Sequence, residues 1–136
     1  MILGIGIDVV NIDRIDDILG RYGDRFINKI FSLKERETSD KRINNVHAYA
    51  KRWAAKEALV KALGLGFPIG MQWKDICVYN SNSGQPRMGL TGGSKKILDR
   101  VIPINHIAKI HLSLSDDYPW AHAMVLLEAI PTSRKE

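Results

Sequence analysis

The first ten residues alternate between apolar positions and small or polar ones. One face of this segment carries Leu3, Ile5, Ile7 and Val9, and the other carries Gly4, Gly6 and Asp8. A period of two predicts a β-strand over residues 2–10. Glycines within a strand usually mark a bulge or a place where another backbone or a ligand comes close. We therefore expect one of these at the glycine face.

Three short helices are predicted after this strand. Asn11 can cap the first, whose apolar spacing is interrupted at Gly20 and Gly23. The second follows Asp24. Ser32, with Glu35 three residues later, has the spacing of a capping box at the start of the third.

The longest helical pattern runs from about Ile43 to Leu63, with Gly64 as its C-terminal stop. Its predicted buried stripe consists of Ala55, Ala58, Leu59, Ala62 and Leu63. The alanines permit close packing, which we expect against the first strand. Glu57 and Lys61 lie off this stripe, one turn apart. Taken alone, they would be a surface ion pair worth about 0.3 to 0.5 kcal/mol.

The second half of the chain is mostly strand. The predicted elements are a strand from Trp73 to Tyr79, a short strand near Met88, a helix opened by TGGSKKIL, and strands Ile107–Ser115 and Ala121–Ala129. We expect the last two to form an antiparallel hairpin with a loop of four or five residues. This order predicts an α+β fold with a mostly antiparallel sheet and helices on one side, one of them long and central. We predict a single domain over residues 1–130 and a flexible tail over residues 131–136.

Composition narrows the possible partners. The 136 residues carry a net charge of +5 and have a pI of about 9.4, which favours acidic proteins, phosphorylated metabolites or nucleic acid. Six Lys or Arg residues and one Glu fall between residues 41 and 61, an excess equal to the whole net charge. The single cysteine, Cys77, excludes an intramolecular disulfide and a thiolate zinc cage. With no long apolar run and no basic leader, the sequence predicts a cytoplasmic protein without a membrane partner.

Two carboxylates are candidates for a metal site. Asp8 on the glycine-bordered strand face, brought near Glu57 on a rigid helix, would suit Mg²⁺, which binds few protein oxygens and keeps positions for water and phosphate. Lys61 would then supply a positive charge to the same phosphate. Alternatively, Asp8 is a capping or turn carboxylate just before Asn11. Spacing alone leaves both hypotheses open.

The segment IAKIHLSLS offers a second candidate surface. Its alternation places Lys109, His111, Ser113 and Ser115 on one strand face. Such a face could receive a phosphate, or it could simply be the hydrated side of a sheet. His47, His106 and His122 have no partners at metal-ligand spacing and are predicted to be structural or surface residues.

Three segments resemble the signature regions of the bacterial holo-acyl-carrier-protein synthase family. They are GIGIDVVNIDRI at residues 4–15, RWAAKEALVKALG at 52–64 and HLSLSDDYPWAHAMVLLE at 111–128. Their order and spacing are those of the family, and they span nearly the whole chain. The resemblance implies an enzyme of fatty acid biosynthesis that transfers 4′-phosphopantetheine from coenzyme A to a serine of apo acyl carrier protein. The other product would be adenosine 3′,5′-bisphosphate.

The resemblance also implies roles for individual residues. The family's magnesium ligands correspond to Asp8 and Glu57, its diphosphate-binding lysine to Lys61, and the histidine near the nucleotide 3′-phosphate to His111. We assign Arg52 and Ser113 to the coenzyme A site as well. The base that accepts the serine proton is either Glu57 or a water on the metal.

The assembly and the carrier-binding surface are likewise implied by the family. Its compact members are homotrimers with active sites between subunits, and the acidic carrier protein would dock on Arg14, Arg21 and Arg25. Two positions depart from the usual family residues, since Leu65 replaces a common Thr and Asp116 a common His. The alternative function is a small basic nucleic-acid-binding module, in which residues 41–61 follow a phosphate backbone.

Overall fold

The computed structural model describes residues 1–132 of the chain. Its strands are β1 (Ile2–Asn11), β2 (Ile76–Asn80), β3 (Pro86–Leu90), β4 (His106–Asp117) and β5 (Trp120–Pro131). Its helices are α1 (Ile12–Tyr22), α2 (Asp24–Ile30), α3 (Leu33–Asp40), α4 (Asn45–Leu63) and α5 (Gly92–Val101), with a 3₁₀ turn at Trp73–Asp75. Of the predicted flexible tail, residues 133–136 lie outside the described part.

The strands form two antiparallel sheets. A three-stranded sheet has the order β1-β5-β4, and β2 pairs with β3 in a separate two-stranded sheet. Helix α4 packs along one face of the larger sheet, where its apolar side chains meet those of β5. The predicted α+β architecture is therefore confirmed.

The glycine face of β1 is the face that α4 covers. A Cβ atom added at Gly4 would lie 2.0 Å from the carbonyl oxygen of Ala62, and one added at Gly6 would lie 1.9 Å from that of Ala58. No side chain fits in these positions, so the two glycines allow the helix and strand backbones to touch. The expected close approach is thus confirmed, and the β1–β5 register also shifts between Ile2 and Gly4.

The apolar face of β1 consequently points away from the helix. Ile5 and Ile7 are 62% and 61% exposed. The strand register places them beside Leu126 and Met124 of β5 on the same face. On β1 and β5, this outer sheet face is an apolar surface that no described part of the chain covers.

The predicted helix ends agree with the structure at most positions. The Asn11 side chain accepts hydrogen bonds from the backbone of α1, and Ser32 and Glu35 form both halves of the capping box. Gly64 ends α4 in the left-handed conformation at φ +72°. All five residues of the predicted stripe on α4 are buried.

Three predicted boundaries were wrong. Helix α4 begins at Asn45, two residues later than expected. Trp73–Asp75 is a 3₁₀ turn and the strand begins at Ile76; the Trp73 carbonyl in this turn accepts a hydrogen bond from Lys56. The β4–β5 hairpin is tighter than predicted, since pairing continues to Asp117 and Trp120.

A buried ion pair fixes α4 against the helices that precede it. The Lys56 ammonium is fully buried and donates to Glu35 Oε1 at 2.7 Å, to the Ile30 carbonyl at 2.6 Å and to the Trp73 carbonyl at 3.0 Å. Glu35 Oε2 accepts the backbone N–H of Val78. Every polar atom of the pair has a partner, so the charges are tolerated in the core.

Across residues 1–132, no helix combines the length and the apolar character needed to cross a bilayer.

Candidate active site

Asp8 and Lys61 meet at the edge formed by β1 and α4. The Asp8 side chain lies on the glycine face of β1 and is nearly buried beneath α4. The Lys61 ammonium donates to Asp8 Oδ1 at 2.9 Å and to the carbonyl oxygen of Ile7 at 3.0 Å. The residues predicted to share a site, 53 positions apart in sequence, are therefore in contact.

Glu57 joins this pair from one turn earlier on α4. Burial raises the pKa of its carboxyl group, the negative charge of Asp8 raises it further, and the positive charge of Lys61 lowers it. A carboxylate that is destabilised by a second carboxylate is ready to accept a cation. Asp8, Glu57 and Lys61 thus form one electrostatic cluster.

The cluster fits a divalent cation that needs few protein ligands. Asp8 Oδ2 is buried and has no hydrogen-bond partner among the described residues, an arrangement that costs free energy unless a ligand satisfies the oxygen. Residues 1–132 contain no group of three or more His, Cys, Asp or Glu side chains able to hold a metal. A two-carboxylate site matches Mg²⁺, which is usually bound through one or two carboxylates together with water and substrate phosphate.

A basic cavity lies beside the N-terminal half of α4. It measures about 780 Å³ and is bordered by Lys41, Arg42, His47, Lys51 and Arg52. Arg52 is 4% exposed, and its Nε has no hydrogen-bond partner in the described structure. The cavity can therefore take a polyanionic ligand. Of these five residues, the sequence predicted a ligand-binding role for Arg52 alone, although the density of basic residues in this segment was a signal for the other four.

Asp116 closes one side of this cavity. Its carboxylate lies 3.1 Å from His47 Nδ1 and 3.4 Å from the Lys51 ammonium. The hydrogen bond with His47 is the main cause that lowers the pKa of Asp116. The residue therefore connects the end of β4 to α4 and holds two of the cavity's basic side chains in place.

His111 and Ser113 lie elsewhere on the monomer. Strand register pairs His111 with Leu126 and Ser113 with Met124, on the outer face of the sheet. His111 Nε2 lies 2.9 Å from Glu128 Oε1, and both His111 and Ser113 border a cleft next to Pro86 and Arg87. Because Asp8 faces α4 on the inner side, one chain does not bring His111 and Ser113 to the carboxylate cluster.

The remaining predicted partner residues lie on the helical side of the molecule. Arg14 and Arg21 on α1 and Arg25 on α2 are exposed, so they are available to a docking protein. The nucleic-acid alternative is not supported, because the basic segment is not a continuous surface stripe. Within it, Lys56 and Arg52 are buried and Lys61 is paired with Asp8.

Known proteins share both this sequence and this fold. Residues 4–123 match the family model described as the 4′-phosphopantetheinyl transferase superfamily. The chain is 52% identical to the holo-[acyl-carrier-protein] synthase of Ruegeria sp. (strain TM1040), over 96% of this chain and 92% of that protein.

Two crystal structures extend the similarity to the fold. The holo-[acyl-carrier-protein] synthase of Neisseria meningitidis superimposes with a TM-score of 0.82 at 30% identity, covering 94% of this chain and 99% of that one. The corresponding enzyme of Bacillus anthracis, crystallised in complex with CoA (3′,5′-ADP), has a TM-score of 0.73 at 32% identity and covers 96% and 98% of the two chains.

Proposed function

The chain belongs to the 4′-phosphopantetheinyl transferase superfamily, and we propose that it is a holo-[acyl-carrier-protein] synthase whose reaction takes place at Asp8, Glu57 and Lys61. It transfers 4′-phosphopantetheine from coenzyme A to a serine of apo acyl carrier protein. The observation that carries the assignment of the site is the buried Oδ2 of Asp8, which lies beside Glu57 and Lys61 and has no hydrogen-bond partner within residues 1–132.

Asp8 and Glu57 are the residues that would hold Mg²⁺. When bound there, the ion would stabilise negative charge on the coenzyme A diphosphate and on the leaving nucleotide. Lys61, whose ammonium contacts Asp8, would supply a positive charge to the same diphosphate. The contribution of the protein is to hold the two carboxylates in place before the substrate arrives.

The transfer exchanges one phosphorus–oxygen bond for another. The carrier serine Oγ forms a bond to the phosphorus next to pantetheine, and the bond from that phosphorus to the bridging oxygen breaks. The oxygen leaves with adenosine 3′,5′-bisphosphate. Glu57, one turn before Lys61 on α4, is this chain's candidate acceptor for the serine proton.

The basic cavity is the proposed site of the nucleotide phosphates. Lys41, Arg42 and Arg52 present positive charge around it, and Leu114 and Pro86 add apolar surface on which a purine can rest. Arg52 is the strongest candidate for a phosphate ligand, because it is buried and its Nε has no partner in the part of the chain that the structure describes.

We propose a homotrimer with active sites between subunits. The apolar outer sheet face, which includes Ile5 and Ile7, is exposed on the single chain. An exposed apolar patch of this kind is typical of a protein interface, here one with another subunit. The carboxylate cluster lies at the β1 edge of the larger sheet, whereas His111 lies on β4 at the opposite edge. If His111 and Ser113 serve the same reaction, they must therefore reach the cluster from a neighbouring subunit.

The acyl carrier protein is proposed to dock on Arg14, Arg21 and Arg25, whose positive charge complements an acidic partner.

A cytoplasmic location agrees with the sequence, since its one cysteine, Cys77, cannot form an intramolecular disulfide.

Mass spectrometry of apo acyl carrier protein tests the reaction. Incubation with the enzyme, coenzyme A and Mg²⁺ should add the mass of one phosphopantetheine. Asp8→Asn and Glu57→Gln should each lower the rate by about a hundredfold to a thousandfold while circular dichroism stays unchanged. Full activity in either variant contradicts the metal assignment.

A subunit-mixing experiment tests the shared site. Two inactive variants, Asp8→Asn and His111→Ala, are co-expressed so that mixed trimers form. Recovery of activity is expected, because a mixed interface can combine an intact Asp8 with an intact His111. No recovery in verified mixed trimers contradicts a site built from two subunits.

A further inference from the structure

Lys61 occupies one side of the cation site that the proposed function assigns to Asp8. Its ammonium donates to Asp8 Oδ1 and to the Ile7 carbonyl, while the other oxygen, Oδ2, has no described partner. A divalent cation on Asp8 would share this carboxylate with a positive charge in direct contact with it. The two cations repel each other, so Lys61 opposes binding of the metal alone.

The Lys61 side chain is able to move away. It is 56% exposed at the edge of the site, although its partner Asp8 is nearly buried. A lysine has a flexible four-carbon stem and a charge that can follow a phosphate over several ångströms. The diphosphate of coenzyme A would therefore offer the ammonium a new counter-ion and relieve the repulsion.

We propose that in the enzyme without coenzyme A, Lys61 is a resident counter-ion of Asp8 that weakens binding of the divalent cation, and that coenzyme A draws it away, so that cation and coenzyme A bind cooperatively. This inference rests on the proposed function, because it assumes that Asp8 and Glu57 hold the cation. Thermodynamic linkage requires the effect to be reciprocal, so the cation must tighten coenzyme A by the same factor.

Binding of Mn²⁺, counted by electron paramagnetic resonance of the free ion, tests the inference on the intact assembly. Without coenzyme A, Lys61→Met should bind Mn²⁺ about threefold more tightly than the wild type, or better. Lys61→Arg keeps the charge and should not show this gain. Lys95→Met is the matched control, since the Lys95 side chain is 50% exposed, against 56% for Lys61, and pairs with Asp99 away from the site.

Coenzyme A added without carrier protein gives the second readout, because no transfer can occur. It should tighten Mn²⁺ binding in the wild type by a larger factor than in Lys61→Met. Equal or weaker Mn²⁺ binding by Lys61→Met in the absence of coenzyme A overturns the inference, and so does undetectable binding by that variant.

Asp8→Asn and Glu57→Gln separate this inference from the proposed function. If both variants lose Mn²⁺ binding and Lys61→Met binds as the wild type does, only the role of Lys61 is wrong. If both retain wild-type Mn²⁺ binding, the metal assignment fails, and the inference about Lys61 fails with it.

Discussion

Replacing Gly6 by alanine should separate β1 from α4 and thereby damage both stability and the site. The added Cβ would lie 1.9 Å from the carbonyl oxygen of Ala58 and 2.8 Å from the backbone nitrogen of Ala62. Ordinary contacts begin at 3.4 Å, so the helix would have to retreat by about 1.5 Å. Both obstacles are backbone atoms, which cannot rotate aside as a side chain can.

The expected loss in the free energy of unfolding is about 3 kcal/mol or more, at the upper end for overpacked cores. For a domain of this size, that loss lowers the melting temperature by about 10 °C. Asp8 is two residues from Gly6, and Glu57 is next to Ala58, so the carboxylates also move apart. A displacement of about 1 Å at a catalytic site can cost about a hundredfold in rate.

Differential scanning calorimetry and the carrier-loading rate measure the two effects. Gly20→Ala is the matched control, because Gly20 lies within α1 and an added Cβ would meet no atom of the described residues within 4 Å. It should stabilise the protein by about 0.4 to 1 kcal/mol. Gly6→Ala with the melting temperature and rate of the wild type would refute the packing argument.

Three further predictions follow from the ion pairs and the charged surface. Lys56→Met should cost about 3 to 5 kcal/mol in urea unfolding, because it leaves Glu35 charged and unpaired in the core, and adding Glu35→Gln should recover part of the loss. The lowered pKa of Asp116 means that its charge stabilises the fold above about pH 4 and that this contribution disappears as the pH falls through the lowered value. Asp116→Asn should therefore be less stable than the wild type at pH 6. At low pH the free energies of unfolding of the two proteins should become equal, in unfolding curves measured across that range. Arg14→Glu or Arg21→Glu should raise the KM for acyl carrier protein and leave that for coenzyme A unchanged in steady-state assays.

Sequence patterns predicted the features that depend on neighbouring residues. The Asn11 cap, the Ser32–Glu35 capping box and the stop at Gly64 are all present. Each is a local arrangement in which one side chain or one backbone conformation satisfies the end of a helix. The extent of the β4–β5 pairing was harder to predict, because it depends on contacts between the two strands.

Long-range packing determines which face of β1 and which charged side chains are buried, and the sequence patterns alone did not predict this. The alternation in β1 gives two faces without saying which is buried, and the apolar face with Ile5 turns out to be exposed. Only the glycine face can receive the backbone of α4. Lys56 lies off the predicted apolar stripe of α4, yet it is buried, since its partner Glu35 comes from another helix.

The candidate site was found by resemblance and supported by geometry. Spacing alone left Asp8 open between a metal ligand and a capping carboxylate. In the structure Asn11 caps α1, whereas Asp8 is paired with Lys61. The basic cavity could not be derived from sequence, because Pro86 and Leu114 reach it from distant strands.

The most direct measurement is the anomalous scattering of Mn²⁺ in crystals grown with the ion and coenzyme A. The central claim is that Asp8 and Glu57 hold one divalent cation beside the diphosphate. The predicted result is a single strong peak bonded to carboxylate oxygens of both residues. Bound coenzyme A with the manganese peak at other residues, or with no peak at these two, would contradict the account.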